Sequence, residues 1–69
     1  MARRVFSKRL RQLRAEKGVS QVKMSLDLGM TENYIYNIEN DYAYPTMTIF
    51  FAICEYLDIS PKEFFDWEI

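Results

Sequence analysis

Three carboxamides, Asn33, Asn37 and Asn40, recur at spacings of four and three in this 69-residue chain. On a helix, which turns by about 100° per residue, they and Tyr36 fall nearly opposite Ile35 and Ile38. A carboxamide offers a donor and an acceptor side by side, a pattern that pairs with N6 and N7 on the edge of adenine. Asn33 and Asn37 are therefore candidate readers of a base edge. Tyr36 beside them can touch a thymine methyl or a phosphate. Glu32 could accept from cytosine N4, although an acid there also repels phosphates. Few other chemistries are available. The chain has no His and only one Cys, and it contains neither a phosphate-cradling glycine loop nor a metal-ligand cluster. No enzymatic activity, metal or cofactor is expected.

Positioning that carboxamide face requires a helix with one apolar edge, and the sequence predicts five helices and no strand. Phe6, Leu10 and Leu13 set the period of the first, about Val5 to Lys17, with Gly18 as its stop. Ser20 is an N-cap for the second, about Gln21 to Leu28, where Met24 and Leu28 share a face before Gly29. Thr31 is read as the cap of the third, about Glu32 to Asn40, with Glu32 at the positive end of its dipole. The stretch from Asp41 to Pro45 breaks the pattern: the residue before a proline avoids helical geometry, and Asp tolerates a left-handed turn. Thr46 opens the fourth helix, with Met47, Phe50, Ile53, Cys54 and Leu57 on its inner face. Ser60, Pro61 and Glu63 combine an N-cap, a first-turn proline and a capping-box acid, starting a fifth helix that ends near Phe65. The predicted fold is an all-α, compact five-helix bundle. It forms one domain over 1–69, with residues 1–4 as a flexible basic arm.

Composition agrees with a packed domain, since 49% of residues are hydrophobic and only two are Gly and two Pro. Cys54, flanked by Ile53, reads as a small buried hydrophobe in a reducing compartment. The longest apolar stretch, Met47 to Cys54, is too short to span a bilayer, and no signal-peptide core follows the basic start. A cytoplasmic location is expected. The net charge of -1 hides a polarity: up to Lys23 eight basic residues oppose Glu16 alone, while beyond it Lys62 stands against nine acids. One end can face a polyanion while the other favours solubility.

Helix two, a turn around Gly29 and helix three together make the pattern of two crossed helices. In RLRQLRAEKGVSQ, LGMTENYIYNIEN, PTMTIFFAICEYLDI and SPKEFF the chain resembles the Cro/repressor family, also called XRE-type regulators, from Phe6 to Phe65. The resemblance implies a lambda-repressor-like domain that binds double-stranded DNA with its third helix in the major groove and represses transcription. It implies base reading at Glu32, and a phosphate contact at Gln21, where a helix N-terminus already favours an anion. Ser20, Lys23, Tyr34, Asn40, Tyr42 and Tyr44 are further candidates for backbone contact. Asp41, Tyr42, Ala43 and Tyr44 stand where relatives often carry Gly and basic residues.

The resemblance also pairs Arg14 with Glu39 in a partly buried ion pair of structural rather than DNA-contacting role. It implies a homodimer formed by the C-terminal end, and Phe65, Trp67 and Ile69 are more apolar bulk than a chain end needs. Trp67 folding back over a thin core is the competing reading. No small-molecule effector is evident. A protein-interaction or antitoxin-like module on the same fold is the rival function, suggested by the acidity and the FFDWEI end.

Overall fold

The computed structural model describes residues 2–66, with side chains from residue 5 onward. Five α-helices follow in order: α1 (Ala2–Lys17), α2 (Gln21–Asp27), α3 (Tyr34–Glu39), α4 (Met47–Leu57) and α5 (Pro61–Phe65). No strand occurs among the described residues. α1 starts three residues earlier than the apolar period suggests, so residues 2–4, expected as a flexible arm, continue the helix. Ala and Arg are among the best helix formers, and this favours the extension.

Four of the five helices end by one device. The chain reverses through a residue of positive φ, and the next amide donates to the carbonyl five residues back. Glycine takes the reversal at Gly18 and Gly29, both with φ near 78°, and Asp41 (63°) and Asp58 (59°) take it after α3 and α4. The returning bonds run from Val19 to Arg14, Met30 to Ser25, Tyr42 to Asn37 and Ile59 to Cys54, at 2.8–3.4 Å. Three helices begin on a hydroxyl cap: Ser20 accepts from the Lys23 amide, Thr46 from Ile49 and Ser60 from Glu63. At Ser60 the box closes, because Glu63 Oε1 accepts from the Ser60 amide at 2.9 Å.

The start of α3 is different. Thr31, expected as its cap, lies in a preceding turn in which the Tyr34 amide donates to the Thr31 carbonyl, and α3 begins after Asn33 without a side-chain cap. Its orphan Ile35 amide instead donates to Ser25 Oγ of α2 at 3.0 Å, and that hydroxyl donates to the Gln21 carbonyl at 2.7 Å. A serine of α2 thus does the work of a cap for α3, which fixes the two helices against each other.

Leu10, Met24, Ile35, Ile38, Phe50, Ile53, Cys54 and Phe64 form the core, one or more from every helix. Phe6 stacks on Phe64 with ring centroids 5.1 Å apart, and Phe50 meets Phe64 edge-on at 5.4 Å. Arg9 of α1 donates to the carbonyls of Phe64 and Glu63 in the last turn of α5, tying the end of α5 to α1. Met47, expected inside, is 65% exposed. It occupies the first position of α4, where the helix overhangs an apolar groove lined also by Phe6, Tyr44, Pro45, Phe50 and Phe65.

Candidate nucleic-acid interface

Along α3 two edges have opposite fates. Ile35 and Ile38 are buried in the core, and Glu39 beside them is buried too, at 4% exposure. A buried carboxylate is costly unless donors surround it. Arg14 supplies two, Nε to Oε2 at 2.7 Å and Nη2 to Oε1 at 3.2 Å, and its Nη1 reaches the Val19 carbonyl at 2.8 Å. Gln21 Nε2 donates to Oε1 at 2.9 Å. Arg11 lies 3.5 Å from Oε1 and donates to the Glu39 backbone carbonyl at 3.2 Å. One carboxylate therefore joins α1, α2 and α3. Pairing of Glu39 with Arg14 was expected; the parts of Arg11 and Gln21 were not, because nothing in local periodicity brings those three helices to one atom.

On the opposite edge Asn33 is exposed, Tyr36 is 45% exposed and Asn37 is half-buried. Glu32, expected in the first turn of the helix, sits exposed in the turn before it. Its carboxylate consequently stands ahead of the helix rather than within its first turn. Asn40 Nδ2 donates to the Tyr36 carbonyl at 2.8 Å, which occupies part of its amide. Tyr42 and Tyr44 are exposed, and the Tyr42 ring lies 6.4 Å from that of Tyr36.

The candidate backbone contacts are more dispersed. Ser20 spends its hydroxyl on capping α2, and Lys23 pairs with Asp27 at 3.0 Å. Asp27 also accepts from the Tyr56 hydroxyl at 2.7 Å; that bond, followed by the one from Lys23, holds its carboxyl below the usual range. Tyr34 packs partly against the core, and burial pushes its hydroxyl pKa up. Gln21 has one amide hydrogen turned to Glu39; the second remains for another acceptor. Phe65, expected at a dimer surface, is 55% exposed at the rim of the apolar groove, while Trp67 and Ile69 lie outside the described residues.

A short helix crossed by a second, a tight turn at Gly29 and an unobstructed polar edge on the second helix define a helix-turn-helix unit. Residues 7–67 match the family described as "Helix-turn-helix domain", and the chain belongs to that family, in its XRE-type branch. It is similar to the HTH-type transcriptional regulator PrpR of Mycobacterium tuberculosis, with 36% identity over 62 residues. That match takes in 88% of this chain but only 13% of PrpR. Among solved structures it is similar to the restriction-modification controller protein C.AhdI of Aeromonas hydrophila. Identity there is 32%, coverage 87% of each chain and TM-score 0.78.

Proposed function

We propose that this chain regulates transcription, as a repressor, by binding double-stranded DNA sequence-specifically with α3 in the major groove. The observation that carries the reading is the free edge of α3, where Asn33, Tyr36 and Asn37 are left over by a fold that buries the other edge. Carboxamides there suit adenine, and Glu32 at the entry to the helix suits cytosine N4. Gln21, held by Glu39 at the start of α2, presents its second amide hydrogen to a phosphate. Ser20, Lys23, Tyr34, Asn40, Tyr42 and Tyr44 flank these readers as backbone contacts of smaller weight. The names of PrpR and C.AhdI, a transcriptional regulator and a controller protein, support the class of function.

The working unit is a homodimer joined through the C-terminal end. Support comes from the exposed Phe65 beside the groove of Phe6, Met47 and Phe50, continued in sequence by Trp67 and Ile69. Two such units read half-sites about 34 Å apart, one turn of DNA. Selection of bound duplexes from a random pool tests the reading. It is expected to return a two-fold symmetric site with that spacing, and a pool unchanged after repeated rounds would overturn it.

A further inference from the structure

Resting on the reading of α3 as the groove-entering helix, we infer that Tyr36 and Tyr42 form an aromatic shelf that selects a thymine methyl group next to the base read by the carboxamides.

The end of α3 builds the shelf. Asp41 takes the left-handed conformation, its amide donates to Ile38 at 3.1 Å, and the Tyr42 amide donates to Asn37 at 2.8 Å. This turn places residue 42 over the last turn of the helix, against residue 36, and an apolar contact between those two positions commonly accompanies it. Here the two are tyrosines, with ring centroids 6.4 Å apart and planes tilted by 47°. A helix end is closed equally well by two aliphatic side chains that cover each other. These rings do not disappear into the contact: Tyr36 stays 45% exposed and Tyr42 73%. Tyr36 lies one turn from Asn33 and from Asn40 on the same edge, and the Asn40 amide is fastened to the Tyr36 carbonyl.

In the major groove, thymine alone among the four bases presents an apolar group, its C5 methyl, and an adenine-reading amide has A·T pairs at hand. A methyl against a ring face discriminates thymine from cytosine and from uracil without any hydrogen bond. The hydroxyls are left for phosphate or water, so ring and hydroxyl have separable roles.

The experiment replaces each thymine of the selected site by deoxyuridine, one position at a time. That change deletes a methyl and leaves base pairing intact. Burying one such group is worth about 0.8 kcal/mol, about fourfold in affinity. The wild type is expected to lose about that much at one thymine per half-site and nothing elsewhere. Tyr36→Phe and Tyr42→Phe keep the thymine-to-uracil ratio, Tyr36→Ala brings it to one, and Tyr42→Ala lowers it. Sequence-specific binding with a ratio of one at every position overturns the shelf and leaves the proposed function standing. So does a ratio unchanged in Tyr36→Ala. Absence of any site preference in the wild type overturns the proposed function, and the shelf with it.

Discussion

The two edges of α3, a helix of six residues preceded by Asn33 as its N-cap, differ in how their polar groups are satisfied. On the inner edge the buried Glu39 carboxylate is matched by donors from Arg14, Gln21 and Arg11, with Arg14 alone reaching both of its oxygens. On the outer edge Asn33, Tyr36 and Asn37 do little for the fold. The contrast teaches how a domain this small divides its labour. A buried charge welds three helices into one body, and the rigidity so gained lets a short helix hold an unsupported polar edge in a defined attitude.

Breaking the inner edge should have the largest effect. Arg14→Ala strands a buried carboxylate and is expected to cost about 3 to 5 kcal/mol of stability, read by urea unfolding. Glu39→Ala should cost less, because Arg14 retains some access to water. A double-mutant cycle between the two must show coupling; additive losses would show that the pair contributes nothing. The outer edge should respond in the opposite way. Asn33→Ala and Asn37→Ala are expected to leave stability within about 0.5 kcal/mol. Each should relax preference at one base position by about 1 to 3 kcal/mol. A mutant that unfolds with no change in base preference would erase the distinction between the edges.

Ser25→Ala probes the start of α3, where the Ile35 amide loses its acceptor. It is expected to destabilise by about 1 to 2 kcal/mol, also by urea unfolding, with base preference unchanged. Gln21 belongs to both edges, through Glu39 and through its free amide hydrogen. Gln21→Ala should weaken all duplex sequences alike by about 1 kcal/mol, and an effect confined to one base position would contradict the phosphate role.

The smallest effect belongs to a brace outside α3, Asp27 with Tyr56 and Lys23. The lowered pKa of Asp27 means that its contribution is present at neutral pH and is lost as pH falls through the folded value. The difference in unfolding midpoint between wild type and Asp27→Asn should therefore shrink below about pH 4.

Much of the fold was legible because its signals are local. The Ser60–Glu63 box, the Ser20 and Thr46 caps and the glycine reversals each involve residues within one turn of each other, and each forms as the sequence implies. Thr31 misled because the Tyr34 amide donates to its carbonyl in a turn ahead of the helix, and α3 is held at its start by Ser25, whose hydroxyl takes the amide of Ile35 ten residues later, a tertiary contact that no local pattern encodes. Met47 misled for a related reason: it lies on the apolar stripe of α4 but at its first residue, where the bundle no longer covers it. At the candidate site, periodicity separated the free carboxamides from Ile35 and Ile38, whereas the convergence of Arg11 and Gln21 on Glu39 depends on how three helices cross. Asp41 was a plausible left-handed residue from its type alone; that its turn would bring Tyr42 onto Tyr36 follows only from the hydrogen bonds that close α3.

The central claim, that the outer edge of α3 reads duplex DNA, is tested most directly by fluorescence anisotropy with the selected duplex and a scrambled one of equal composition, across a salt series. The account predicts preference for the selected duplex by a factor of about 1,000 or more, with log affinity for both falling linearly in log salt as phosphate contacts release counterions. Equal affinity for the two duplexes, or no binding of either at the lowest salt, would contradict it.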